Sequence, residues 1–509
     1  MARLRSASLF LAIPATLVAQ AAWADLTPAQ VWGDWRQYME NMGYTVQAQE
    51  KAQGDDLTVT DVTMRMQMPE DGGAFSMSMG TLSFVQGADG AVEIRMPEVM
   101  PMTIDIAPEK PNDKPVSMVL NYAQTAPKMT ASGTPEVLQY DYAAEQIALK
   151  LTGLKVGDES FGEDRAAFNL IGSGVSSRTE MKTGAMRSYT QTGRIDSLRY
   201  DVVMDAPDDP TALALKGGLE EITFDGGGDL PMLDATADMA AMMQAGMAFR
   251  GGLTAGAGNA DVKVSDPENG DFGLLSTSAG AKLNISMGPD GLAYNGGQQD
   301  IAVDVTAAEM PFPITFSMAE TGFDLKMPMM KSEEPQDFAF GLTLDQFKMS
   351  DMIWGIFDPT GQLPRDPARL VVDLTGKAKV LFDMVDPESP ANKESKDPGE
   401  LHALTVNKFA LDVAGAAFDA SGDFTFKNAE DQTLQKMPQP IGALNLSLVG
   451  GIALMEKLVT LGLLPQEQAL GARMMIGLFT VPGEGEDALK SKIEFTEDGS
   501  ILANGQQIK

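Results

Sequence analysis

The stretch Leu404–Phe426, LTVNKFALDVAGAAFDASGDFTF, decides the fold. Phe409, Leu411 and Val413 fall on one parity, a turn follows near Gly415, and Phe418, Phe424 and Phe426 return on one face. Alternation on both sides of a glycine turn predicts a half-buried antiparallel pair. After the break Met437-Pro438-Gln439-Pro440, Leu444, Leu446 and Leu448 face one way and Ala443, Asn445 and Ser447 the other, a third strand. Two helices should then interrupt the sheet. The first carries Ile452, Met455, Leu458 and Val459 and stops at Gly462; the second starts at Pro465, turns Leu470, Met474, Leu478 and Phe479 inward, and stops before Pro482. Ile493 and Phe495, the Asp498-Gly499 turn, and Ile501 and Leu502 close the sheet.

Working outward, the same alternation fills most of the chain. From Thr45 to Phe224 the runs Leu57/Val59, Phe75/Met77/Met79, Val92/Ile94/Met96, Ile147/Leu149/Leu151 and Leu198/Tyr200/Val202 predict strand after strand. One apolar and one polar face per strand predicts antiparallel pairing. Ahead of them, Thr27 caps a helix with Pro28 at its first position and Gln30 completing a capping box; its stripe is Val31, Trp32, Trp35, Tyr38, Met39 and Met42. The run Gly226-Gly227-Gly228 reads as a break before a helix from Pro231 to Phe249, with Asp229 as cap and Met239, Met242, Met243 and Met247 on its apolar face. A helix followed by strands thus occurs twice, and Gly87-Ala88-Asp89-Gly90 and Gly288-Pro289-Asp290-Gly291 suggest a duplication. Ser350 caps a short helix through Met352, Trp354 and Ile356. The expected class is α+β, mainly antiparallel β, an elongated sheet with a few amphipathic helices on a face or at the ends. The expected divisions are a signal peptide at 1–24, a helix plus strands at 25–228, a second such region at 229–386, a charged linker at 387–400, and a C-terminal β module with a helical hairpin at 401–509.

Export is read from the first residues. Arg3 and Arg5, the apolar run Leu9–Val18 and the small-x-small pattern Ala22-Trp23-Ala24 have the form of a cleaved signal, which places the product in the periplasm. With no cysteine, the fold must rest on burial alone. A net charge of −33 argues against nucleic acid and anionic membrane surfaces as partners. No other stretch reaches spanning length, so stable membrane insertion is not expected. An outer-membrane barrel would need aromatic girdles, and 7% of residues are aromatic.

Leu448-Val449-Gly450-Gly451, Leu461-Gly462-Leu463-Leu464-Pro465, Phe495-Thr496-Glu497-Asp498-Gly499-Ser500 and Asn504-Gly505-Gln506, with Phe357-Asp358-Pro359-Thr360-Gly361-Gln362-Leu363-Pro364-Arg365-Asp366-Pro367 upstream, carry a resemblance. They resemble the uncharacterised alphaproteobacterial family called domain of unknown function 2125, over about the last third of the chain. That resemblance implies an exported, β-rich envelope protein and assigns no activity, cofactor or catalytic residue.

Chemistry has few footholds. The one histidine, His402, would have to serve any histidine-dependent triad, yet there is no Gly-x-Ser-x-Gly elbow and no cysteine nucleophile; it reads as a solvated loop residue. One residue from the His and Cys set leaves no usual zinc site. Asp266-Pro267-Glu268-Asn269-Gly270-Asp271 has its glycine one position too early for a calcium loop and Thr277 where the bidentate glutamate belongs, so it reads as a polar hairpin turn. No spacing singles out two of the 71 carboxylates for hydrolysis. Catalytic, cofactor and metal residues are therefore none on this reading. The unusual feature is 34 methionines: Met64/Met66/Met68, Met77/Met79, Met96/Met100/Met102 and Met327/Met329/Met330 cluster or alternate. Thioethers on one strand face suit copper(I), or, as adaptable apolar filler, a groove for variable apolar ligands. The expected function is a non-enzymatic periplasmic protein that binds a lipid or other apolar molecule or assists envelope assembly; the alternatives are a methionine-rich copper-binding protein and a carboxylate-dependent hydrolase.

Overall fold

The computed structural model describes residues 26–67, 73–107, 114–205, 210–232, 239–385, 399–427 and 438–509. The segment 1–24 expected to be a signal, Met68, Met437 and most of the expected linker 387–400 lie outside them. The strands join into one antiparallel ladder. It starts at the edge strand Thr45–Gln53 and passes through Asp56–Gln67 and Gly73–Gln86 to a rung shared by Val92–Arg95 and Val99–Ile106. The next rung is shared by Lys128–Thr134 and Val116–Thr125, and Val137–Val156, Ala166–Lys182, Met186–Asp205 and Ala212–Pro231 follow. Then come two more shared rungs, Ala248–Ala255 with Gly258–Ser265 and Gly280–Gly288 with Phe272–Ser278. Gly291–Ala307, Ile314–Met327, Gln336–Met349, Ala368–Val380, Gly399–Val413, Ala416–Lys427, Gln439–Val449, Ala488–Phe495 and Ile501–Ala503 complete it. At about 4.8 Å per rung, the ladder runs roughly 90 Å along its hydrogen bonds. The ladder crosses the divisions read from sequence: Ala212–Pro231 spans residue 228 in mid-strand, and Ala368–Val380 pairs with Gly399–Val413.

A recurring bend gives this sheet its form. Asp61, Gly80, Gly174, Glu221, Asp300 and Gln346 all sit inside strands with φ between 48° and 63°. A left-handed residue interrupts the pleat and flips the alternation. In Ala212–Pro231, Leu213, Leu215, Gly217 and Leu219 share a face with Ile222, Phe224, Gly226 and Gly228, and Glu220 and Glu221 bulge out between them. The shared rungs break at the same line, between Thr125 and Lys128, between Ala255 and Gly258, and at Ala279. The strands that carry such a residue therefore have two arms, and the apolar side is the concave one. Val175, Ile222, Ile301 and Val303 beside the bend are buried, while Glu221 and Asp300 on the other side are exposed. Helix packing cannot account for that burial, because it is concentrated on the first three strands and on Ala416–Lys427.

The wiring is repeated. After Gly73–Gln86 the chain makes two strands on one arm and two on the other, in the order first, second, second, first, before the long strand Val137–Val156. It does the same between Ala212–Pro231 and Gly291–Ala307. What recurs is this four-strand detour and not a helix-first unit. The Gly226–Gly228 run is no break, since it lies inside a strand that continues to Pro231. Of the helix expected over 231–249, the described residues show Met239–Gln244, and the chain is already in a strand again at Ala248.

Helix α1 (Pro28–Asn41) has the expected capping box at Thr27 and Gln30. It packs Val31, Trp32 and Trp35 on Leu57, Val59, Leu82, Phe84 and Tyr140, the one large dry core among the described residues. Its Asp34 reaches Arg187 at 2.6 Å, with the two side chains 13% and 6% exposed. Burial, and then the Asp34 carboxylate, push the Tyr140 phenol above its ordinary range. Helix α2 is Met239–Gln244, and α3 (Asp351–Phe357), α4 (Gly451–Thr460) and α5 (Gln466–Phe479) lie toward the other end. Trp354 of α3, Leu363 and Ala414 form a second, small core with Leu454, Leu458 and Leu461.

Removing one partner of a buried ion pair strands the other charge. We expect Asp34→Ala to lower the unfolding free energy in urea by about 3–5 kcal/mol, and Asp34→Ala combined with Arg187→Met to regain most of it. A loss no larger than that for the exposed pair Lys216–Asp201 would show that α1 is not anchored this way.

Candidate functional site

The concave face of the bent sheet is an open apolar trough. Across the ladder its residues meet in rows set by the register: Leu170 beside Leu149 and Tyr200, Leu253 beside Phe224 and Leu283, Phe323 beside Leu342, Leu444 beside Ile493. The charged side chains on this face include Arg187, neutralised by Asp34, and Glu50, which accepts from the Trp32 indole at 2.8 Å and pairs with Arg36. Lys and Asp side chains such as Lys216, Asp225, Asp304 and Lys326 alternate onto the opposite, convex face. Most trough residues stay half-buried, and several are exposed: Met204 at 59%, Phe340 at 44%, with Ile106, Phe272, Tyr294 and Leu411 at 37–39%. A contiguous apolar surface of this length is the candidate site of the described residues.

Glycines keep the trough open. Gly193 pairs with Phe224, Gly217 with Tyr200, Gly296 with Phe323 and Gly376 with Phe338. A Cβ on Gly296 would meet the Phe323 ring at 3.1 Å, and on Gly376 the Phe338 ring at 2.4 Å. The absent side chain lets each ring lie across the neighbouring strand, so large apolar side chains coat the floor without filling the space above it.

The two ends differ. Toward α1 a hydrogen-bond chain ties the arms together. Gln124 donates to the Pro97 carbonyl at 2.8 Å, so its amide oxygen accepts from Tyr142 at 2.9 Å, and Tyr122 completes the chain at 3.3 Å. Toward the other end α5 lies over the sheet and closes a cavity of 350 Å³ lined by Phe418, Leu446, Leu448, Ile476, Phe479 and Leu489. The sequence reading turned Leu470, Met474 and Leu478 inward with Phe479; instead Ile476 and Phe479 face the cavity, and those three are 61–68% exposed. Periodicity gives a helix two candidate faces, and here both are apolar. Between α3 and the sheet, Asp358 is buried and accepts the backbone N–H groups of Gln362 and Leu363 at 2.8 Å each. Sequence analysis does not single out this loop-holding carboxylate; the Asp358-x-x-Gly361 spacing is the available signal.

The chemical candidates separate. His402 is a strand residue of Gly399–Val413, not a loop residue, and lies 3.6 Å from Glu400. Asp266 closes its hairpin turn through Glu268 and Asn269, as expected. The carboxylates whose pKa moves, Glu93, Asp141, Asp266, Asp337, Asp358 and Asp498, all move down, the wrong direction for a general acid. A depression of 610 Å³ has Lys282, Glu320, Asp324 and Asp373 in its lining, charges of both signs beside the apolar Phe323, Phe340 and Leu342. The methionine pattern does converge: Met64 pairs with Met77 and Met77 with Met102, a row of three thioethers on the trough face. No described helix is long and apolar enough to cross a membrane.

Burial works to raise the Asp358 pKa, but the N–H donors of Gln362, Leu363 and Gly361 and the nearby Arg365 outweigh it, holding the carboxyl below its ordinary 3.8. A depressed carboxylate stabilises the fold above its unfolded pKa, and that contribution is lost as pH falls through the folded value. We expect Asp358→Asn to melt below the parent at pH 7 and the two melting points to converge as pH falls below 3.8 and through the folded value. A constant gap from pH 7 to pH 2 would rule out this linkage.

No family model, curated protein or solved structure matches this chain.

Proposed function

We propose that the protein is a non-enzymatic lipid-binding protein of the periplasm, and that the trough is its binding surface. The observation that supports this reading is a long concave face, free of unpaired charge, whose large apolar side chains lie flat and half-exposed instead of closing into a core. A globular enzyme pocket buries a compact substrate and converges a few polar groups on it. The trough offers the opposite, a continuous apolar track on which an acyl chain lying along the ladder would span several strands. Its methionines add adaptable contacts suited to chains that vary. The periplasmic setting rests on the signal-like segment 1–24, and membership of the domain-of-unknown-function family on the C-terminal motifs. An acidic convex face fits a partner that is neither nucleic acid nor a polyanion.

The row Met64, Met77 and Met102 favours a second reading, a copper(I) site, in which replacing Met77 by isoleucine would abolish metal uptake and leave lipid uptake intact.

The lipid reading is tested with delipidated protein and a fluorescent polyene fatty acid. Putting a charge on the trough floor forces it to be desolvated when a chain binds. We expect Phe323→Arg and Ile285→Asp to weaken uptake about tenfold, and the convex-face change Lys326→Glu to alter it less than about twofold. Equal effects from both faces, or no saturable uptake by the parent, would refute it.

A further inference from the structure

We propose that α5, with the loop before it, docks the protein on a lipid bilayer of low surface charge, at the end of the trough where cargo enters or leaves. The proposal rests on the lipid-binding reading of the trough. Helix α5 is apolar on two sides. Ile476 and Phe479 wall the cavity over Phe418 and Leu448, while Leu470, Met474 and Leu478, four residues apart, form a stripe on the other side. Met475 belongs to both, lining the cavity and yet 54% exposed. Gln466, Glu467, Gln468 and Arg473 give α5 polar positions, so its apolar surface is two stripes, of which the fold covers one.

The composition of the stripe points to the occupant. Leu463 in the α4–α5 loop and Val481 after α5 extend it, and from Met474 to Gly483 there is no ionisable residue. Protein hot spots favour Trp, Tyr and Arg held in shaped pockets. This surface offers leucine, methionine and valine with no buried polar anchor, which suits a fluid apolar medium. Continuity supplies the second argument. Through Met475 the exposed stripe runs into the cavity beneath α5, whose floor residues Leu446, Leu448 and Ile493 are trough residues, so a chain leaving the bilayer would meet apolar surface all the way. The net charge of −33 selects against an anionic membrane, hence the low surface charge.

The experiment is flotation of the full-length mature chain with phosphatidylcholine vesicles, alongside uptake of the polyene fatty acid in the absence of vesicles. We expect the parent to float, and Leu470→Asp/Met474→Asp/Leu478→Asp to lose vesicle binding at least about tenfold while taking up the soluble fatty acid like the parent. Leu470→Gln/Met474→Gln/Leu478→Gln serves as the milder variant, each checked by circular dichroism and melting. A parent that takes up fatty acid but does not float overturns the docking proposal and leaves the trough reading standing. A parent that neither floats nor takes up fatty acid fails both. Concentration-dependent dimers dissolved by the triple variant, with no flotation, would show that a second copy covers the stripe and overturn the proposal.

Discussion

The structure depends on left-handed residues that interrupt six of the long strands, next to neighbours such as Val137–Val156 and Met186–Asp205 that carry none. Asp61, Gly80, Gly174, Glu221, Asp300 and Gln346 hold positive φ where an extended strand would not. For the non-glycine members this is an unfavourable conformation, tolerated because the ladder on both sides fixes it. Without the bend, strands of 20 residues such as Ala212–Pro231 would make a nearly flat ribbon with one apolar face wholly in water. With it, the apolar sides of the two arms face each other, and Ile222 and Ile301 are buried by the sheet itself.

The bend also divides the labour between core and site. A large dry core forms where α1 seats its two tryptophans on the first strands, and a small one where Trp354 meets α4. Between them the sheet is held by its hydrogen-bonded register and by the half-burial of its concave rows. Side-chain burial there is left incomplete by cross-strand glycines beneath aromatic rings. A Cβ at Gly193, Gly217, Gly296 or Gly376 would also fall within 2.7 Å of a neighbouring backbone oxygen, so close backbone approach as well as the ring requires glycine there. Glycine at 193, 217, 296 and 376 lets the paired ring lie flat across the neighbouring strand.

Much of this architecture is legible in the sequence. Period-two alternation identifies the class, the Asp-Gly and Gly415 turns place hairpins correctly, and Thr27, Pro28 and Gln30 define α1. The bend is not legible, because flipping the parity takes one residue, and an Asp or Glu at the flip looks like an ordinary polar position until the register is known. The Gly226–Gly228 run misleads for a related reason. Its glycines serve close backbone approach within a strand, where sequence alone suggests a loop. For the site, the sequence identifies an apolar, methionine-rich surface without locating it. Strand partners decide which methionines meet, and Met64, Met77 and Met102 are brought together only by pairing. Leu470, Met474 and Leu478 show the limit most clearly: their spacing predicts a stripe, but not which side of the helix the protein leaves uncovered.

The central claim is that the trough holds lipid, and its most direct test is what the protein carries when isolated. Native mass spectrometry of the mature chain, purified without detergent from the host that exports it and paired with organic extraction, reads the cargo without choosing it beforehand. The account expects a mass above that of the polypeptide that collapses to the bare chain on extraction and releases molecules bearing acyl chains. A bare polypeptide mass, unchanged after incubation with the host's own extracted lipids, would contradict it.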